Sequence, residues 1–186
     1  MSNLHHIVIV GGGAGGLELA TQLGDTIGKS SKAKITLVDQ KLTHIWKPLL
    51  HEIAAGTMNP NDEETNYYAH SAKHHYEFVL GRFEKLDREQ KIISLSKTQS
   101  TKYDSSTDTY TLSYDTLILA VGSVSNDFNT PGVKDYCHYL DSRKQADIFQ
   151  QDLLHLYLDA QNKNIDRDLK IVVIGAGATG VELSAE

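Results

Sequence analysis

Two apolar rhythms alternate along the chain. Leu4–Val10 and Thr116–Val121 are short branched runs with no polar alternation, the mark of parallel strands buried on both faces. Lys34–Val38 and Tyr76–Leu80 read as further strands. Ala14–Ile27 instead carries Leu17, Ala20, Leu23 and Ile27 at helical spacing, and Gly28 ends it. Strand, helix and strand make a βαβ unit, whose crossover is right-handed. Pro48 favours a short helix starting within 46–58, and Asn59–Thr65 is a polar break. Lys91–Leu95 and Thr109–Tyr114 predict an antiparallel excursion within 82–115. Asp141 reads as the N-cap of an amphipathic helix over 141–158, with Ala146, Phe149, Leu153 and Leu156 on one face. Asn162–Asp168 follows as a charged, loop-like linker.

The opening of the chain is then repeated. LHHIVIVGGGAGGLELA at 4–20 and LKIVVIGAGATGVELSA at 169–185 both run strand, G-x-G-x-x-G, helix. In such a motif the first glycine (Gly11) permits a tight turn and the second (Gly13) lets backbone approach a pyrophosphate. The third (Gly16) lets the helix pack closely on the strand. The phosphates sit on free N–H groups at the positive end of the helix dipole. A purely structural glycine turn is the alternative. Asp39 argues against it, standing 23 residues past Gly16 at the end of the second strand. A carboxylate there takes a ribose hydroxyl pair and repels a 2′-phosphate. Gly175, Gly177 and Gly180 predict a second nucleotide turn. Glu182, matched by Glu18 in the first copy, is expected in the first helical turn, where the dipole favours an anion by about 0.3–1 kcal/mol.

Composition narrows the chemistry. With 186 residues, 40% of them hydrophobic, there is material for a sizeable core. The net charge of -6 argues against nucleic acid, and the lysines of 29–34 read as a solvated loop beside Asp25 and Asp39. Nine histidines lack ligand spacing, so no metal site is expected. Cys137 is the only cysteine, so the chain can form no internal disulfide and no redox dithiol; it reads as a small buried hydrophobe. No run approaches the roughly 18 apolar residues of a membrane span, and a soluble chain is expected.

Tyr114–Gly122, YDTLILAVG, resembles the second FAD signature of the two-dinucleotide flavoproteins, whose returning strand ends in a glycine close to the nucleotide. WKPLLHE at 46–52 with IAAG after it, SNDFNTPGV at 125–133 and GATGVELSAE at 177–186 resemble type II NADH dehydrogenases, the single-chain NADH:quinone oxidoreductases. The resemblance covers essentially the whole chain. It implies an α/β fold: a Rossmann-like FAD-binding domain over 1–168, with a parallel sheet and an antiparallel β excursion. The first strand and phosphate-binding turn of an NADH-binding domain would follow over 169–186. It implies FAD pyrophosphate beside Gly11, Gly13, Ala14 and Gly16, and the adenosine ribose on Asp39. It further implies Lys47 and Pro48 beside the flavin end, the Phe83 backbone at adenine, and Gly122 near the nucleotide. NADH would lie on Gly175, Gly177 and Gly180, with Glu182 facing nicotinamide and flavin.

The implied reaction takes a hydride from NADH to flavin and passes two electrons to a quinone, without pumping protons. Implied partners are a quinone and the cytoplasmic face of the inner membrane, through a region beyond this chain, and a homodimer stays open. Glutathione-reductase-like enzymes and sulfide:quinone reductases use cysteines that Cys137 alone cannot supply. A ferredoxin or rubredoxin reductase-like flavoprotein shares the layout, but WKPLLHE and the lack of a basic docking face count against it. A non-catalytic nucleotide-binding module would carry no flavin. A nicotinamide domain needs a second strand whose acidic end lies about 20 residues past its fingerprint. The sequence stops six residues after Gly180, so an incomplete chain with little NADH:quinone turnover is expected.

Overall fold

The computed structural model describes residues 4–59, 64–98, 109–163 and 169–186. In chain order, β1 (His5–Val10) leads into α1 (Ala14–Leu23), β2 (Ala33–Asp39) and β3 (Thr43–His44). Next come α2 (Leu50–Ala55), β4 (Thr65–Asn66), α3 (Tyr67–Lys73), β5 (Glu77–Leu80), β6 (Arg82–Asp87) and β7 (Ile92–Ser96). β8 (Thr109–Ser113), β9 (Thr116–Leu119), α4 (Val133–Tyr136), α5 (Arg143–Asn162) and α6 (Ala178–Ala185) complete the series. The chain forms two compact units, one of Met1–His44 with Glu64–Gly122, the other of Ile45–Glu63 with Ser123–Glu186.

The first unit is built on a parallel sheet in the order β5-β2-β1-β9. Successive side chains of a strand point to opposite faces. Ile9, Ile35, Leu37 and Phe78 therefore pack with Ala20 and Tyr67 from α1 and α3, while Val8, Val10 and Val38 pack with Ile93 and Leu95. Those last two belong to the antiparallel sheet β6-β7-β8. Both faces are covered, which is why IVIV shows no polar alternation. Burying each such side chain contributes about 1.5–3 kcal/mol. The sheet's carboxyl edge is tied together by backbone bonds: Gly11 N–H to the Val38 carbonyl (2.8 Å), Ala120 N–H to that of Val10 (2.7 Å), and Gly81 N–H to that of Asp39 (2.8 Å).

The strands predicted for the parallel sheet and the excursion are present, with β6 added as the excursion's third strand. The helix after the first glycine turn ends at Leu23 and continues as a π-helical turn, Gly24–Gly28. Residues 60–63, most of the polar break, and 164–168, most of the linker, lie outside the described residues.

In the second unit, Leu50, Ile53 and Ala54 of α2 pack against Ala146 of α5, with Phe149 and Leu183 beside them. Pro48 lies in a 3-10 turn, Lys47–Leu49, that opens α2, and Gly56 closes α2 in the left-handed conformation (φ 84°). Two expectations are corrected here. Helix α5 starts at Arg143 with Ser142 as the cap, accepting from the Gln145 N–H. Asp141 instead accepts from the backbone N–H and hydroxyl of Ser125 (3.0 Å each), so its carboxylate is used on a loop. Residues 169–176, expected to open with a strand, form none: Ile171, Val172 and Ile174 are exposed, and no described strand pairs with them. A strand draws its stability from neighbours, and an apolar run without them stays unpaired.

Candidate nucleotide site

The first glycine turn is tightly determined by its surroundings. Gly11 sits at φ 105°, and a Cβ there would overlap the Ala120 carbonyl. A Cβ on Gly16 would overlap the Gly11 carbonyl oxygen, so the third glycine of the motif lets α1 close on β1. Gly12, a free position in the motif, is equally fixed: a Cβ there would run into the Tyr67 hydroxyl and ring. Gly13 and Gly15 differ, because a Cβ on either meets nothing within 4 Å. Their bareness serves no packing within the chain and leaves room for a ligand beside the start of α1, where the helix's unpaired N–H groups lie. Gly122, at the end of the β9 segment, has φ 73° and the same open space.

Asp39 closes β2 against this turn. Its Oδ2 accepts the Gly12 N–H at 2.7 Å and its Oδ1 the Lys41 N–H at 2.8 Å. Each carboxylate oxygen can accept a second bond, so capacity remains for two ribose hydroxyls. Tyr67, 2% exposed, donates its hydroxyl to the Gly12 carbonyl and stacks on Phe78 at 4.8 Å between ring centroids. Burial, then the charge of Asp39 and the neighbouring Tyr76, push its pKa far above the usual phenol range, so it stays a donor. The His44 ring also bonds the Gly12 backbone; burial lowers its pKa, against the raising effects of that bond and of Asp39. Phe83, in β6, packs on the cluster around Val8, Val10 and Ile93.

The second unit contains the second turn. Gly175 has φ 109°, and a Cβ on Gly180 would overlap the Gly175 carbonyl oxygen. Leu17 N–H bonds the Gly13 carbonyl at 2.9 Å, and Val181 N–H bonds that of Gly177 at 3.1 Å. The second copy thus takes the first copy's shape. Gly175 and Gly177 have open space where a Cβ would be. Glu182 is not in the first turn of α6, nor Glu18 in that of α1, because each helix starts directly after the second motif glycine. Neither carboxylate gains from the helix dipole, whose effect fades within one turn. Glu182 Oε2 instead lies 3.4 Å from His51 Nδ1, close enough for an ion pair but not aligned as a hydrogen bond. Lys47 donates from Nζ to the Ser123 carbonyl at 2.9 Å.

Two glycine turns of one geometry, an acid at the end of β2 and a returning β9 that ends near a left-handed glycine together fit dinucleotide recognition. Residues 5–186 match the pattern of the family described as pyridine nucleotide-disulphide oxidoreductase. The chain belongs to that family. A type II NADH:quinone oxidoreductase of Haemophilus influenzae is 44% identical over 98% of the chain, and one of Staphylococcus aureus is 31% identical over 97%. The chain spans 45% and 42% of their lengths. A solved structure of NDH2 from Plasmodium falciparum in complex with NADH superposes with a TM-score of 0.71 at 23% identity, over 88% of this chain and 32% of that one. The likeness shows that the two chains share an α/β fold.

The family's flavin fits the residues present: open glycines at 13, 15 and 122, and a ribose-competent Asp39. Its disulfide does not, since Cys137 is the single cysteine of the chain. Among the described residues no group of His, Cys, Asp or Glu could hold a metal, and no helix is long and apolar enough to cross a membrane. Sequence reasoning missed Tyr67, His44 and His51. Asn66 preceding Tyr67 was a legible signal, a helix cap whose side chain accepts the Ala69 N–H.

Proposed function

We propose that this chain is the FAD-binding part, and the opening of the NADH-binding part, of a type II NADH:quinone oxidoreductase. The observation that carries the reading is the repeated turn: Gly11 and Gly175 at φ 105° and 109°, each closed by a third glycine, in a chain 44% identical to an enzyme of that name. The first turn and Asp39 bind the FAD pyrophosphate and adenosine ribose, with Ala14 at the start of α1 beside the phosphates. The Phe83 backbone meets adenine, and Gly122 lets backbone approach the nucleotide. Lys47 and Pro48 serve the flavin end. Gly175, Gly177 and Gly180 take the NADH pyrophosphate. Bound FAD supplies a two-electron acceptor for the NADH hydride and a donor to the quinone. The protein's part is to hold the nucleotides and exclude competing reactions, which requires neither a nucleophilic side chain nor a dithiol. Glu182 is the carboxylate assigned to the nicotinamide. The whole protein works at a membrane surface, where its quinone resides.

The visible spectrum of the purified chain tests this, with chromatography of the acid-released cofactor. Flavin absorbance and an FAD-sized product support the reading. A colourless chain that refuses added FAD but binds NAD at its first turn overturns it.

A further inference from the structure

The established role of a dinucleotide fingerprint assigns nothing to the tyrosine beneath it. Tyr67 is fully buried, stacked on Phe78, and spends its hydroxyl on one backbone carbonyl, that of Gly12. Gly12 is bound at both ends, its N–H to Asp39 Oδ2 and its C=O to Tyr67, and the His44 ring bonds the backbone of the same residue. The next peptide therefore has little rotational freedom. In a trans peptide the carbonyl of one residue and the N–H of the next point in opposite directions, and no cis peptide occurs among the described residues. Drawing the Gly12 carbonyl down onto Tyr67 turns the Gly13 N–H away from it. Gly13 is the glycine with open space, and it caps α1.

We infer that Tyr67 is a positioning residue for the cofactor: by holding the Gly12 carbonyl it aims the Gly13 N–H at the dinucleotide pyrophosphate. This rests on the flavin reading above. The glycine motif alone leaves the plane of the 12–13 peptide undetermined, because glycine on both sides offers many backbone states. Tyr67 removes that freedom before the ligand arrives, so less entropy is lost on binding. A merely structural tyrosine would fill the same space and stack on the same ring with no need of its hydroxyl.

The test compares the chain with Tyr67→Phe and Phe78→Leu. Tyr67→Phe keeps the ring and removes only the oxygen; Phe78→Leu weakens the stack and keeps the oxygen. FAD affinity is read by quenching of flavin fluorescence, ligand-free stability by melting temperature, and the Gly13 amide by its 1H–15N signal with and without FAD. One neutral hydrogen bond corresponds to about fivefold in affinity. The expected result is FAD binding about fivefold weaker in Tyr67→Phe, with a smaller FAD-induced displacement of the Gly13 signal. Phe78→Leu should melt lower yet bind FAD nearly as the parent does. Equal affinity in the parent and Tyr67→Phe overturns the assignment alone. Loss of affinity that merely tracks melting temperature in both variants, or a Tyr67→Phe chain that does not fold, makes the hydroxyl structural and also overturns it. A parent chain that takes up no FAD overturns the flavin reading, and this assignment falls with it.

Discussion

The Gly12 amide donates to Asp39 Oδ2 at 2.7 Å, across 27 positions of sequence. The acid expected to face a ribose therefore also fastens the phosphate loop to β2. Its second oxygen takes the Lys41 N–H. Asp39→Asn separates the two duties. The amide oxygen can accept from Gly12, but the amide nitrogen then faces the Lys41 N–H, donor against donor. The variant should lose about 1–2 kcal/mol of stability, measured by urea denaturation. FAD affinity should fall further than stability accounts for, because the nitrogen cannot accept a ribose hydroxyl.

Gly11 and Gly175 share a backbone conformation but not an environment. A methyl at Gly11 would overlap the Ala120 carbonyl, whereas one at Gly175 meets nothing within 4 Å. Gly175→Ala should therefore show only conformational strain, about 1–3 kcal/mol confined to its own turn. Gly11→Ala adds a steric conflict between β1 and β9 and should unfold the parallel sheet at a much lower temperature. Circular dichroism melts of the two variants check the contrast; equal melting temperatures would contradict it.

The parallel sheet was legible because periodicity reports burial, and β1 is covered on both faces; β9, at the edge of the sheet, is less buried than its composition implied, with Leu119 52% exposed. Turn chemistry disclosed the glycine loops for a similar reason: backbone requirements are local. What escaped notice depends on long-range partners. Gly12 looks optional until Tyr67, 55 positions away, is placed against it. Asp141 has the chemistry of a cap, yet its carboxylate is taken by Ser125, and Ser142 caps α5 instead. The run IVVI at 171–174 has strand composition, but composition supplies no neighbouring strand.

Three histidines set the acid sensitivity. Burial lowers the pKa of His6, His44 and His70 below the ordinary 6.5; Lys34 adds to the effect at His6, and His74 and Lys73 at His70. A group whose folded pKa is depressed binds its proton more readily when unfolded. Stability is thus greatest above pH 6.5 and falls as pH drops through the folded values. Asp25, Asp115 and Asp127, held below 3.8 chiefly by hydrogen bonds from His74, His6 and Asn129, lose their contribution only in a separate, lower window. The melting temperature should decline from pH 7 to pH 5, and His44→Phe should make that decline shallower. A flat profile for the parent chain would count against the burial of these rings.

His51 and Glu182 offer the clearest separation of structure from chemistry. His51 is buried on α2 among Leu50, Ile53 and Ala54, while Glu182 is partly exposed on α6, 3.4 Å away. An exposed partner gains little from an ion pair, about 0–1 kcal/mol, because solvent screens it. Glu182→Gln should leave the melting temperature nearly unchanged. His51→Ala removes a buried side chain from α2 and should cost about 1–3 kcal/mol. If Glu182 serves only the fold, any small loss on Glu182→Gln should vanish in a His51→Ala background, and reduction of bound flavin by NADH should be unchanged. If it serves the nicotinamide, Glu182→Gln should spare stability and FAD binding and slow only the reduction of bound flavin by NADH in the whole enzyme. Stopped-flow flavin bleaching beside a urea melt of each variant distinguishes these outcomes, since a carboxylate kept for chemistry can be removed without disturbing the helix that carries it.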